Sequence, residues 1–126
     1  MTRIQSFRDL DVWNKAMNLV VSVYALTDTF PRHELYGLTD QTRRAAVSVA
    51  TNIAEGNGRL YRGEYAHHAE IARGSVSELV TCLEIGRRLK DANDEAIEAV
   101  LRQASAVSAM LTMLIRALRR PPRVKS

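Results

Sequence analysis

The chain has 126 residues, of which 46% are hydrophobic and 25% charged, a composition typical of one soluble globular domain rather than of a disordered segment. Its net charge is +4, and the single cysteine, Cys82, excludes an internal disulfide framework. No apolar stretch is long enough to cross a membrane and the first residues lack the apolar core of a signal peptide, so we expect a cytoplasmic location.

Hydrophobic residues recur at helical spacing along most of the chain. They predict four helices over approximately residues 8–29, 39–56, 61–90 and 93–119, followed by a short basic C-terminal tail over residues 120–126. Ser6 and Asp9 have the spacing of a capping box at the start of the first helix. The last two helices carry matching seven-residue repeats and a short connection, which favours an antiparallel hairpin. We therefore predict a single all-α domain, an up-down-up-down antiparallel four-helix bundle.

The first and fourth predicted helices each carry a second apolar stripe. The first helix has Val12, Leu19 and Leu26, and the fourth has Val100, Val107 and Leu114. This is more apolar surface than one intramolecular seam requires, and an exposed stripe of this length would promote aggregation of a monomer. We therefore expect the stripes to be buried between copies of the chain in a homo-oligomer. A bundle with a larger core is the alternative.

Little in the sequence points to catalysis, and we expect no enzyme activity, no cofactor and no metal. Glu64 and His67, beside His68, have the Glu-x-x-His spacing of a di-iron bundle, but the fourth helix lacks the second pair that such a site needs. Cys82 has apolar neighbours and is expected to be a buried structural thiol. The chain contains no nucleophile elbow, phosphate loop or dinucleotide fingerprint.

Polar side chains interrupt the apolar pattern of the second and third helices. They are Asn52, Glu55, Arg73, Ser75 and Glu78. In the structural network that we predict, the Glu55 carboxylate bonds to Arg73 or Arg59 and fixes the register of the two helices. Gly56 and Gly74 would then allow the two backbones to approach closely at that level. A small polar pocket is the functional alternative for these residues.

Basic residues collect at one end of the predicted bundle. The candidate nucleic-acid-binding residues are Arg59, Arg62, Arg116, Arg119, Arg120 and Arg123, and the nearby aromatic residues are Tyr61 and Tyr65. Before residue 116 the basic and acidic residues nearly balance, so the excess positive charge sits mostly in the C-terminal segment. Repeated around an oligomer, the cluster would form a positive ring suited to contact with phosphate backbones. A solubilising cap on the fourth helix is the alternative, because cations also favour a helix C-terminus.

Several short motifs occur in a specific order. They are Phe7-Arg8-Asp9-Leu10-Asp11-Val12-Trp13, Phe30-Pro31, Tyr36-Gly37-Leu38-Thr39, Asn52-Ile53-Ala54-Glu55-Gly56 and Ala72-Arg73-Gly74-Ser75. In this combination the chain resembles, over residues 7–118, the bacterial four-helix-bundle family named after proteins encoded in intervening sequences of 23S ribosomal RNA genes. That family is similar to the accessory protein of diversity-generating retroelements. The resemblance implies a homopentamer that contacts RNA or DNA and associates with a reverse transcriptase or another protein.

The sequence is therefore compatible with two functions. The first is a non-enzymatic homo-oligomeric bundle, pentameric by resemblance, that binds nucleic acid through basic residues as a ribonucleoprotein or reverse-transcriptase accessory factor. The second is a protein-interaction scaffold without nucleic-acid binding. Salt-sensitive binding to arbitrary nucleic acid separates them, because phosphate contacts release counterions.

Overall fold

The computed structural model describes residues 6–121, which form four α-helices and two short 3-10 helices without a strand. The α-helices are α1 (Asp11–Thr27), α2 (Leu38–Asn57), α3 (Arg62–Arg88) and α4 (Asp94–Arg119). One 3-10 helix, Phe7–Asp9, precedes α1, and the other, Arg32–Glu34, lies between α1 and α2. The predicted all-α architecture of four helices is confirmed. No helix in residues 6–121 combines the length and the apolar character that a membrane span requires.

The helices form a square in which each packs against two neighbours, in the cyclic order α1, α2, α3, α4. Contacts at two levels set the direction of neighbouring helices. Ser48 and Asn57 of α2 contact Ser75 and Tyr65 of α3, so α2 and α3 run antiparallel. Arg73 and Arg87 of α3 contact Thr112 and Glu98 of α4, so α3 and α4 run antiparallel as well.

The core consists of large aliphatic side chains from all four helices and of small side chains that come mainly from α2 and α3. The largest fully buried residues include Leu19, Ile53, Leu79, Leu83, Ile97 and Leu111. Burial of one such side chain stabilises the fold by about 1.5–3 kcal/mol. Ala45, Ala46 and Ala50 are buried on α2, and α3 buries three further alanines, so the small side chains let the helices pack closely.

The second apolar stripes of α1 and α4 lie inside the bundle, so the expectation that they pack between copies of the chain is wrong. Five of their residues are buried, and Leu114 is partly buried against the same core cluster. The reason is topological: α1 and α4 are neighbours in the square, and α1 therefore needs one apolar flank for α2 and another for α4. The large apolar side chains that α1 leaves exposed are instead Met17, Val21 and Tyr24.

All four helices differ by up to three residues from their predicted bounds. The capping box of Ser6 and Asp9 is present, but it caps the 3-10 turn, and the extended backbone of Leu10 (φ −81°, ψ 127°) delays α1 until Asp11. Between α3 and α4, Lys90 adopts a left-handed conformation (φ 59°), which ends the preceding helix. Asn93 then caps α4, because its side chain accepts hydrogen bonds from the first backbone N–H groups of that helix.

Candidate nucleic-acid interface

The arginines predicted to bind nucleic acid lie at the end of the bundle where α2 ends, α3 begins and α4 ends. Arg59 follows α2, and Arg62 is the first residue of α3. Arg116 and Arg119 lie in the last turn of α4, which Arg120 terminates. The antiparallel arrangement thus brings these five residues to one end of the molecule. Arg123 lies outside the described residues.

Two of these arginines already have partners within the protein. The Arg62 guanidinium donates a hydrogen bond to the backbone carbonyl of Ala117 at 2.5 Å, one of the last carbonyls of α4 that has no partner within its own helix. Arg119 forms an ion pair with Glu70, and this hydrogen bond holds the pKa of the Glu70 carboxyl below its usual value. Both contacts hold the end of α4 against α3. The charges of Arg62 and Arg119 are therefore only partly available to a ligand.

Arg59, Arg116 and Arg120 are the cluster members that remain available to a ligand. All three are exposed, and within residues 6–121 their side chains make no hydrogen bond or ion pair. We call them the free arginines. Their charges lie at one end of the bundle, where a phosphate backbone could approach without displacing an internal contact.

The connection between α2 and α3 exposes two apolar side chains beside these arginines. Leu60 is 85% exposed and Tyr61 is 65% exposed. The other predicted aromatic neighbour, Tyr65, is half-buried, and its hydroxyl accepts a hydrogen bond from the Asn57 side chain at 3.4 Å. The two tyrosines therefore differ: Tyr65 belongs to the packing between α2 and α3, whereas Tyr61 faces solvent.

The polar residues between α2 and α3 form a continuous chain of hydrogen bonds through Ser48, which was not among the predicted residues. The hydroxyl oxygens of Ser48 and Ser75 lie 2.8 Å apart. The Asn52 amide donates to the Ser48 carbonyl at 3.0 Å and to its hydroxyl at 3.2 Å. On its other side, Asn52 Oδ1 lies 3.1 Å from Nδ1 of His68. Ser48 could have been found from the sequence, because it stands four residues before Asn52 on the same helix face.

The expected bond from Glu55 to Arg73 or Arg59 is not formed. The Glu55 carboxylate lies 3.8 Å from Nδ1 of His68, while the Arg73 guanidinium donates to the Thr112 hydroxyl of α4 at 3.4 Å. Arg73 and Ser75 are two positions apart and lie on different faces of α3, so Arg73 contacts α4 while Ser75 contacts α2.

Glu78 does not join the polar chain either. It is exposed, and it makes no hydrogen bond or ion pair among the described residues. Of the predicted polar residues, the structure therefore brings Asn52 and Ser75 together through Ser48. It leaves Glu55 at the rim of that chain, beside His68.

The two glycines of these helices differ in their surroundings. A methyl group added at Gly56 would lie 2.8 Å from Cβ of His68 and 3.0 Å from Cδ1 of Tyr65, so the expected close approach of backbones exists here. Gly74 is exposed, and a methyl group there would have no atom of the described chain within 4 Å beyond its own helix backbone and chain neighbours. The expectation of a close approach at Gly74 within one chain is therefore wrong.

The groups considered for catalysis are dispersed. Within residues 6–121, no three His, Cys, Asp or Glu side chains come together as potential metal ligands. Glu64 and His67 are exposed on the first turns of α3. Cys82 is buried, and burial raises the pKa of its thiol, which favours the unreactive protonated form.

Comparison with known proteins gives a family and a fold. The sequence model of the family described as 23S rRNA-intervening sequence protein matches residues 8–113. Among solved structures, the chain is similar to a protein of unknown function from the S23 ribosomal protein family of Bacteroides thetaiotaomicron. The two are 20% identical with a TM-score of 0.78, over 83% of this chain and 98% of the other, which is a likeness of fold. No curated protein matches the chain.

Proposed function

We propose a nucleic-acid-binding function for this chain, which belongs to the 23S rRNA-intervening sequence protein family. In this proposal the protein is a non-enzymatic homo-oligomer that contacts RNA or DNA through the free arginines. The observation that carries the proposal is the grouping of Arg59, Arg116 and Arg120, exposed and without internal partners in the described chain, at one end of the bundle. Guanidinium groups bind phosphate strongly, and such contacts do not depend on base sequence.

The strength of this interaction depends on the number of charges that reach phosphate. On duplex DNA each neutralised phosphate contributes about −0.9 to the slope of log K against log salt, so the three free arginines of one chain would give about −2.7. That is a weak site by itself. An oligomer would present several such sites to one strand, and linked sites raise the overall affinity without new contacts.

We propose that the copies associate through the outer face of α1 and α2. Met17, Val21 and Tyr24 are 38%, 67% and 42% exposed on successive turns of α1, and Val47 of α2 lines the same groove as Tyr24. Solvent-exposed apolar ridges of this kind are typical of protein interfaces. The pentamer, and association with a reverse transcriptase or another protein, are proposals that rest on the family resemblance.

The test is a binding titration with two triple variants that remove the same number of positive charges from different places on the protein. Wild-type protein is compared with the triple variant Arg59→Gln, Arg116→Gln, Arg120→Gln, using labelled RNA and duplex DNA at several salt concentrations. The matched control variant replaces Arg32, Arg88 and Arg102 by Gln, three arginines that are exposed at other places on the described chain. Sedimentation of the same samples measures the oligomeric state.

We expect the wild type and the control to bind with a steep salt dependence, and the first triple variant to lose affinity and most of its salt slope. Equal binding by the two triple variants would overturn the assignment of the free arginines. A wild type that sediments as an oligomer but binds no nucleic acid at low salt would overturn the function, and the protein-interaction scaffold would then be favoured. A Val21→Glu variant should dissociate the oligomer, because it places a charge in the apolar ridge.

A further inference from the structure

The connection between α2 and α3 holds an aromatic ring in solvent next to the free arginines. Tyr61 and Leu60 stand between Arg59 and Arg62 in the chain, and both are largely exposed. Within residues 6–121 the Tyr61 side chain makes no hydrogen bond and no ring contact. Because both side chains are exposed, neither stabilises the single chain by burial, and packing within the chain does not explain an apolar pair at this position.

The backbone around Tyr61 is held in place although its side chain is free. The Tyr61 carbonyl accepts a hydrogen bond from the N–H of Tyr65, which makes Tyr61 the N-cap residue of α3. The next residue, Arg62, is bonded to the Ala117 carbonyl of α4. The ring is therefore presented from a fixed position next to the end of α4, where Arg116 and Arg120 lie.

We infer that Tyr61 and Leu60 form a base-stacking platform, and that the protein prefers single-stranded to duplex nucleic acid. This inference rests on the proposed function. Aromatic side chains stack on unpaired bases in a manner that tolerates any sequence, and single-strand-binding proteins combine such rings with a positively charged path for the backbone. In a duplex the faces of the bases are covered by their neighbours, so only the phosphate contacts to the free arginines would be available.

The experiment compares an unstructured, labelled 15-nucleotide uridine RNA with a labelled 15-base-pair DNA duplex. The variants are Tyr61→Ala, Tyr61→Phe and the control Tyr36→Ala, which removes a ring that is 93% exposed in the connection at the opposite end of the bundle. Circular dichroism and thermal unfolding verify that each variant is folded. A single-stranded DNA that contains 2-aminopurine provides a second readout, since its fluorescence falls when the base stacks on a ring.

We expect Tyr61→Ala to lose about 5- to 150-fold in single-strand affinity, the range that loss of one base–aromatic stack corresponds to. Its duplex affinity should be unchanged, and Tyr61→Phe and Tyr36→Ala should bind like the wild type. The 2-aminopurine quenching should be lost with Tyr61→Ala and kept with Tyr61→Phe.

Three results would overturn the platform. If Tyr61→Ala keeps full single-strand affinity while the triple arginine variant loses it, stacking is excluded and the proposed function stands. If Tyr36→Ala loses as much single-strand affinity as Tyr61→Ala, the loss is not specific to the position of Tyr61. If the wild type binds neither probe at low salt, both the platform and the proposed function fail.

Discussion

Gly56 of α2 lies so close to His68 of α3 that a methyl group in place of its hydrogen would stand 2.8 Å from the His68 Cβ. The same methyl group would stand 3.0 Å from Cδ1 of Tyr65. His68 also faces Asn52 at 3.1 Å, at one end of the hydrogen-bonded chain between the two helices. The close approach at Gly56 and the polar chain thus share one residue, and a change that moves His68 would disturb both.

We expect Gly56→Ala to lower the free energy of unfolding by about 1–3 kcal/mol, the usual cost of overpacking a tight contact. Alanine is intrinsically better than glycine in a helix by about 1 kcal/mol, so the sign of the result separates crowding from helix propensity. Chemical denaturation of wild type and variant measures the difference. An unchanged or raised stability would contradict the close approach.

Gly74→Ala provides the opposite case on the neighbouring helix. Its added methyl group meets no neighbouring atom within 4 Å of the described chain, so we expect a gain of about 0.5–1 kcal/mol from helix propensity alone. The measurement is chemical denaturation at protein concentrations low enough to dissociate any oligomer. A loss of stability under those conditions would show that Gly74 is crowded within one chain.

The helical pattern of the sequence predicted four helices and buried faces, but it did not identify which faces meet. Val12, Leu19 and Leu26 have the spacing of a buried stripe whether their partner is α4 or another copy of the chain. Only the square arrangement decides this, because it gives α1 two neighbours. The family resemblance, which rested on motifs spread over the chain, is confirmed by the match over residues 8–113.

The sequence predicted which residues lie at the candidate site, but it did not predict which of them form contacts within the protein. The hydrogen bond from Arg62 to Ala117 joins residues 55 positions apart in the sequence, and it forms because α4 ends beside the start of α3. A local pattern carries no information on such a pairing, so the division between engaged and free arginines required the structure. Arg73 is different, because its separation of two positions from Ser75 by itself places it on another face of α3.

Cys82 should react slowly with alkylating reagents while the protein is folded. Burial raises the pKa of its thiol, an effect that Glu78 reinforces and a hydrogen bond with Thr42 only partly opposes. We expect iodoacetamide at pH 8 to modify the native protein far more slowly than the protein in denaturant, as measured by intact mass. The less stable Gly56→Ala variant should react faster, because it unfolds more often and each unfolding exposes the Cys82 thiol. Rapid modification of the native wild type would contradict the buried position.

Two carboxyl groups meet at the end of the bundle opposite the free arginines. Glu34, in the connection between α1 and α2, lies within hydrogen-bonding reach of Asp91, which is buried in the turn between α3 and α4. The contact is favourable when one of the two groups carries a proton. The hydrogen bond with Asp91, partial burial and repulsion from the Asp91 charge together raise the pKa of Glu34, and they outweigh the opposite effects of His33 and the Leu38 backbone.

A raised pKa means that the folded state binds this proton more tightly than the unfolded chain does, where the pKa of a glutamate is about 4.3. The stabilising contribution is therefore complete below that value and is lost as the pH rises through the higher pKa of the folded state. We expect Glu34→Gln to raise the melting temperature at pH 7.5 and to have a smaller effect at pH 4.5, as measured by thermal unfolding. Glu78→Gln, which removes an exposed carboxylate on α3, controls for the general loss of one negative charge. Equal shifts for Glu34→Gln at the two pH values would exclude a shared proton between Glu34 and Asp91.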